Sequence, residues 1–263
     1  MRRWRAMKIA SWNVNSVRAR QERLLNWLKA HQPDVLCLQE LKCVDADFPT
    51  EAVREAGYHA VTHGQKTYNG VAILSKAEPS DVVLGLSDGV EDSHARLIAA
   101  TVSGVRVVSA YVPNGQAVDS PAYVYKLEWY SRLRRYLEAR HTPDQPLVLC
   151  GDWNVAPEPI DVYDPAVWEG QTLFTLKERD ALQQVCAFGL ADTFRKLHPG
   201  VEKKFSWWDY RGLSFPKNLG VRIDHIFATA PLVQRLVKAE IDREERKGKQ
   251  PSDHAPVWAE FRD

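Results

Sequence analysis

The chain has 263 residues, with 35 Lys plus Arg against 34 Asp plus Glu and a formal net charge of +1. That balance removes bulk basicity as an argument for a nucleic-acid partner and leaves room for a local basic face beside an acidic site. With 44% hydrophobic and 26% charged residues the composition is that of an ordinary globular chain, and no stretch is long or apolar enough to cross a bilayer.

The start, MRRWRAM, is basic, but no apolar run of signal-peptide length follows it. Met7 is an alternative start, because the first strand begins with Lys8-Ile9-Ala10, leaving residues 1–6 as an N-terminal extension; with candidate site residues at both ends, 7–263 reads as a single domain. A first strand is expected over 8–12, followed by Asn13. Helical spacing over 20–32 puts Leu24, Leu25 and Leu28 on one side, and Pro33 stops it. The next apolar run, 35–39, ends at Glu40, and another follows over 71–74. Runs 97–102 and 105–111 are joined by Ser103-Gly104, a hairpin that argues against a uniformly parallel sheet. A second helix is expected over 123–139. The run 147–150 then enters Gly151-Asp152-Trp153-Asn154. A third helix, 175–188, is closed by Gly189. The last strands are 223–228 and 255–261, the latter preceded by Asp253-His254. Loops are expected at 43–53, 85–93, 114–121, 156–173 and 211–221. Mixed sheets packed face to face and covered by helices fit this order better than an alternating parallel fold.

The four cysteines lack paired spacing, and Cys37 and Cys150 lie inside apolar runs as small core residues. With no secretory signal this favours a reducing, cytoplasmic setting.

Several strand-like runs end in a carboxylate or an amide: Asn13, Glu40, and Asp152 with Asn154; Asp224 sits within VRIDHIF, and Asp253-His254 lies just before the last run. Oxygen ligands suit a hard divalent cation such as Mg2+ or Mn2+, and a histidine beside a carboxylate adds an acid-base partner. Metal-assisted hydrolysis of a phosphate ester is the chemistry such a set points to. In extended backbone Asp152 and Asn154 would face one way and Trp153 the packing side. The bland alternative is a turn, since Gly, Asp and Asn all favour turns. Asp253-His254 would occupy the bend before the last strand, with Asp224 orienting the imidazole.

The segments SWNVNSVRAR, DVLCLQELK, HGQKTYNGVAIL, VSAYVPNGQ, VLCGDWNVAP, FSWWDYRG, GVRIDHIFA and PSDHAPVWAEF closely resemble the exonuclease III/AP-endonuclease family of the endonuclease/exonuclease/phosphatase superfamily, in order, from Met7 to Phe261. The resemblance implies a DNase-I-like four-layer α/β-sandwich, two packed mixed β-sheets flanked by helices. It implies Mg2+, with Mn2+ as a substitute, and hydrolysis of the DNA phosphodiester 5′ to abasic sites to leave a 3′-hydroxyl. Removal of nucleotides or blocking groups from 3′ ends of duplex DNA uses the same bond chemistry. The implied partner is double-stranded DNA, with no membrane, and the protein is expected to be a monomer.

Carried over motif by motif, Glu40 is the principal metal carboxylate, with Asn13, Asp152, Asn154, Asp253 and His254 in or near the metal site. Asp152 activates or positions water, or protonates the leaving group. Asn154 orients the phosphate, and His254, set by Asp224, stabilises charge on a nonbridging oxygen. Tyr111 supports the leaving oxygen or phosphate, as a proton donor or a nucleophile-like group. Asn69 and Asn114 hold loops and phosphate. Phe205, Trp207 and Asp209 resemble the pocket for a base-free sugar, with Phe205 and Trp207 on one side and Trp208 opposed. Arg211, Lys217, Arg222 and Lys126 are candidate phosphate contacts. A small-molecule phosphatase shares the same metal core and stays open as a rival, whereas FSWWDYRG and YVPNG favour DNA. An inactive DNA binder would have lost a central ligand, and none is missing.

Overall fold

Aliphatic residues alternate along the central strands because both faces of each strand are covered. In the strand 35–39, Val35 and Cys37 face one core while Leu36 and Leu38 face another. The computed structural model describes residues 6–262. In chain order its elements are β1 (Ala6–Asn13), α1 (Gln21–His31), β2 (Val35–Gln39), α2 (Thr50–Glu55), β3 (His59–His63), β4 (Val71–Ser75), β5 (Ser80–Leu84), β6 (Leu97–Val102) and β7 (Val105–Tyr111). There follow α3 (Pro121–Arg140), β8 (Leu147–Asp152), α4 (Pro165–Trp168), α5 (Leu176–Cys186), β9 (Leu190–Asp192), α6 (Thr193–Leu197), β10 (Asp224–Thr229), α7 (Ala230–Val233), β11 (Leu236–Ile241) and β12 (Val257–Arg262).

The strands form two six-stranded sheets, ordered β11-β12-β1-β2-β4-β3 and β5-β6-β7-β8-β10-β9. Ile9, Val35 and Ile73 of the first meet Ile98, Val107, Val148 and Ile226 of the second in the inter-sheet core. Leu24, Trp27 and Leu28 of α1 cover the outer face of the first sheet. Trp129 and Leu133 of α3 and Leu182 and Val185 of α5 cover that of the second. The result is the helix–sheet–sheet–helix sandwich.

Each sheet is antiparallel except for one central parallel pair, β1 with β2 and β7 with β8. A helix, α1 or α3, makes the return that a parallel pair requires. This placement builds the site. Asn13 pairs in register with Gln39, the residue before Glu40, and Tyr111 pairs with Asp152. Asp224, the first residue of antiparallel β10, lies opposite Asp152. The polar strand ends thus gather at one edge of both sheets.

The hairpin turn between β6 and β7 has Ser103 and Gly104 both at positive φ, 49° and 80°, the conformation a two-residue hairpin favours. Strand β8 runs to Asp152, two residues beyond the apolar run, because Gly151 continues it. A Cβ at Gly151 would fall 1.8 Å from the Ala110 carbonyl oxygen, so no side chain fits there. Four strands lie outside the apolar runs: β3, β5, β9 and β11. They are the four sheet edges, where one side lacks a strand neighbour and the continuous apolar signal fades. Short helices α2 and α4 occupy segments expected as loops. Residues 1–5 of the expected extension lie outside the described residues, and Ala6 opens β1 opposite Arg262. No helix among the described residues is long and apolar enough to cross a membrane, and all four cysteines are free.

Beneath the site lies a buried ion network. Arg222, only 1% exposed, donates to both oxygens of Asp161 at 2.7 and 3.1 Å and pairs with Asp192 at 2.7 Å. It also donates to His225 Nδ1 at 2.9 Å, so the ring keeps its proton on Nε2, which faces the Val155 carbonyl at 3.1 Å. Burial, and then the Arg222 charge, push the His225 pKa from 6.5 down to about 4. A histidine whose folded pKa is depressed contributes stability that is complete above its unfolded pKa and is lost as pH falls from 6.5 toward 4. The full span is worth about 3 kcal/mol. Urea unfolding at about pH 7 and about pH 4.5 is expected to show a pH-linked loss about 2 kcal/mol smaller in His225→Gln than in the parent. Equal losses would refute the assignment.

Candidate active site

At the shared edge the Asn13 amide joins two carboxylates. Its Nδ2 donates to Glu40 Oε1 and to Asp152 Oδ2, each at 2.8 Å. Its Oδ1 accepts the Asn15 amide N–H at 3.0 Å, which fixes this orientation. Asn13 therefore presents donors to the carboxylates; it holds them together, and no free amide oxygen faces the cluster. Glu40 itself stands in left-handed backbone, φ 52°, uncommon for a side-chain-bearing residue. Its Oε1 also accepts the Tyr111 hydroxyl at 3.1 Å, and Oε2 pairs with Lys42 at 2.8 Å. Burial, then the Glu40 and Asp152 charges, raise the Tyr111 pKa well above its usual value. The phenol stays protonated and donates, which argues against a nucleophile-like role.

Asp152 is buried, and this desolvation raises its pKa from 3.8 to about 7. Asp224 and Glu40 push the same way, against His254 and the Asn13 hydrogen bond. His254 Nδ1 meets both Asp224 oxygens, at 2.9 and 3.1 Å, while Nε2 stands 3.7 Å from Asp152 Oδ2. Burial alone would lower the imidazole pKa, but Asp224 and then Asp152 outweigh it and hold it near 10. The ring is an imidazolium at neutral pH. Ser206 Oγ accepts the backbone N–H of both Ile223 and Asp224, and Ser252 Oγ ties the other strand by donating to the Asn13 carbonyl at 2.7 Å. Ligand atoms of Glu40, Asp152 and His254 lie within 4.8 Å of one another, a cluster able to hold a divalent metal.

The pattern of the Endonuclease/Exonuclease/phosphatase family matches residues 10–254, from β1 through His254. The chain belongs to that family. It is 38% identical to the exodeoxyribonuclease III of Haemophilus influenzae over 97% of this chain and 100% of that protein. Among solved structures it resembles an AP endonuclease from Archaeoglobus fulgidus (42% identity, TM-score 0.94, 97% of this chain and 99% of that one). It resembles as closely a Neisseria 3′ phosphatase bound to a product DNA hairpin (44% identity, TM-score 0.93, 97% and 99%).

Asn154 reaches the site by a route the strand spacing does not describe. Strand β8 ends at Asp152, and Asn154 sits in a left-handed turn, φ 48°, its N–H donating to Asp152 Oδ1 at 3.0 Å. The turn reading of GDWN is thus correct: the Asn154 backbone N–H caps the Asp152 carboxylate, while its side chain turns to the 112–114 loop. Trp153 is buried against Tyr130 and Phe227. The Asn154 side chain donates to the Val112 carbonyl at 2.9 Å and accepts from Asn114 Nδ2 at 3.0 Å. Asn69, φ 55°, accepts the Lys42 N–H on its carbonyl and supports the Glu40 loop from outside.

Asp253 stands apart from the Glu40–Asp152–His254 cluster. Its oxygens take Asn15 Nδ2 at 2.9 Å and Trp207 Nε1 at 3.1 Å. Phe205 and Trp207 do not pair. Phe205 packs with Trp208 and Ala255 in one cluster, and Trp207 sits against Val162, Val221 and Ile223 in another. The segment is held by isolated bridges, Trp207 to Val221 and to His254, so strand alternation does not govern it. Asp209 accepts the Arg211 N–H at 2.8 Å, and the Arg211 side chain is 93% exposed. Lys217 is exposed as well.

Two expected phosphate contacts are overturned. Lys126 is wholly buried and paired with Glu178, and Arg222 is consumed by Asp161 and Asp192. A cation without exposed surface cannot meet a phosphate. Conversely, Lys42 was missed as a site residue although it lies in the ELK motif beside Glu40. Its Nζ links Glu40 to Asn15 Oδ1 at 2.6 Å.

Proposed function

We propose that this protein is a DNA-repair hydrolase of the exonuclease III type, dependent on Mg2+ with Mn2+ as a substitute. It cuts the phosphodiester 5′ to abasic sites in duplex DNA and clears nucleotides or blocking groups from 3′ ends. The observation that carries this reading is the joined Glu40–Asp152 pair beside an imidazolium, in a chain whose close relatives bear both kinds of activity in their names. The donor set fits a hard cation. Burial, with the charges of Asp224 and Glu40 added to it, raises the Asp152 pKa to about 7, and a divalent ion at the pair would favour the ionised form. Glu40, with Oε2 toward Lys42 and Oε1 toward Asn13, would be the principal ligand. His254, its Nδ1 held by Asp224, turns Nε2 toward Asp152 Oδ2 at 3.7 Å, at the rim of the same cluster. Bound there, the cation supplies charge neutralisation at the phosphate.

The side chains supply the rest. Water attacks phosphorus opposite the departing O3′; a new P–O bond forms as the P–O3′ bond breaks. Asp152, with a pKa near 7, can accept the water proton or deliver one to O3′. The His254 imidazolium donates to a nonbridging oxygen as negative charge builds, and Asp224 keeps the ring aimed. Asn154 orients the phosphate, and Tyr111 steadies Glu40. Exposed Arg211 and Lys217 serve as sequence-independent phosphate contacts.

A panel of end-labelled duplexes tests this: one with an internal abasic analogue, one with a 3′-phosphate, one with a recessed 3′-hydroxyl, and a small phosphomonoester. Incision at the abasic site and processing of 3′ ends, with no release of phosphate from the small ester, is the expected result. The reverse pattern would make the protein a small-molecule phosphatase.

A further inference from the structure

The lysine that fails as a phosphate contact has another place in the site. Lys126, on α3, has 0% side-chain exposure. Its ammonium carries three hydrogens, and three acceptors meet them: the Asn154 carbonyl at 2.6 Å, the Asn114 carbonyl at 3.1 Å, and Glu178 Oε1. An ammonium with every donor used is fixed in position. The two carbonyls belong to the two residues whose side chains bond each other at 3.0 Å.

Glu178 is as buried as its partner. It closes the capping box of α5, its Oε2 accepting from the Thr175 N–H at 2.9 Å and hydroxyl at 2.7 Å, while Oε1 also takes the Leu173 N–H at 3.1 Å. Capping glutamates need no buried lysine. This one joins the start of α5 to α3 and, through the ammonium, to both asparagine loops. Gly115, at φ 90°, lets the loop lie against the lysine stem; a Cβ there would stand 3.0 Å from Lys126 Cδ. Asn154 itself holds left-handed backbone, a conformation that needs support from its surroundings.

We propose that Lys126, balanced by Glu178, is a positioning residue for hydrolysis: it clamps the Asn154 turn and the Asn114 loop from behind so that their amides face the phosphate in one geometry. The inference rests on the function proposed above. It concerns kcat: a displaced amide of the order of 1 Å misaligns the reacting phosphate by amounts that lower rates about 100-fold, while DNA affinity comes from elsewhere.

The test uses Lys126→Met combined with Glu178→Gln, which removes both charges together and leaves no buried ion alone. Steady-state incision of an abasic duplex is measured well below the melting temperature, with thermal melts alongside. The expected result is a kcat lower by about 30- to 100-fold with KM changed less than about threefold. Lys126→Gln with Glu178→Gln keeps two of the three N–H donors without the charge and serves if the first pair does not fold; its kcat should fall about 10-fold. Tyr123→Phe removes the hydroxyl bonded to Thr175 Oγ1 but keeps Lys126, its three acceptors and the Thr175–Glu178 bonds, and should lower the melting temperature with little change in kcat. A lower melting temperature with unchanged kcat in the lysine variants would make the pair merely structural and overturn the proposal. So would a rise in KM that accounts for the whole loss. An inactive parent protein would instead sink the proposed function.

Discussion

Replacing His254 with alanine is expected to lower kcat for abasic-site incision by about 10²- to 10³-fold, with DNA binding nearly unchanged. The imidazolium is buried, aimed by two contacts to Asp224, and charged because two carboxylates outweigh its desolvation. Such a donor acts most strongly when charge builds on a phosphate oxygen, since no solvent must reorganise around it. His254→Gln keeps an amide donor without the charge and should recover part of the loss. Asp224→Asn keeps the ring but removes the charge that holds its second proton; its kcat should fall by roughly 10-fold and the decline should begin at lower pH. Single-turnover incision at saturating DNA, with gel-shift binding in parallel, separates these effects. A His254→Ala protein with full kcat would remove the electrophile from the mechanism.

The second large effect is on stability. Asp161→Ala is expected to cost about 3–5 kcal/mol, lowering the melting temperature by about 10 °C. The Asp161 carboxylate is buried, yet Arg222 and Arg195 hold its pKa below the usual range. Removing it leaves the Arg222 guanidinium, 1% exposed, with Asp192 as its remaining carboxylate. Much of the cost is the buried guanidinium left with half of its pairing, and little is the net worth of the pair. Asp161 also accepts the Glu158 N–H at 3.1 Å, so the turn leading into the 161–163 segment loosens as well. Urea and thermal unfolding measure the loss, and a change below about 1 kcal/mol would show that the network contributes little.

The sheet interior was legible because its strands are covered on both faces and so read as unbroken apolar runs: β2, β6 and β7 fall where those runs lie. The edges were not. β3, with its half-buried His59–His63 pattern, and β5, largely exposed, have one flank without a strand neighbour, and their sequences carry no periodic signal strong enough to mark them. The site was legible in its residues and less so in its geometry. Glu40, Asp152 and His254 gather as the strand ends suggest. Asn154 arrives through a left-handed turn, though, and Phe205 and Trp207 part company because non-local bridges shape that segment. Charge type was the least reliable guide. Lys126 and Arg222 read as phosphate ligands by sign alone, and only burial, which depends on distant Glu178 and Asp161, shows that their charges are spent inside the fold.

The most direct measurement is incision of a 5′-labelled duplex carrying one central abasic analogue, with Mg2+ and with EDTA, for the parent and Glu40→Gln. The account predicts a single Mg2+-dependent cut immediately 5′ to the lesion, leaving a 3′-hydroxyl, lost with EDTA and strongly reduced in Glu40→Gln. Cleavage that persists in EDTA, or that ignores the lesion and scatters along the duplex, would contradict it.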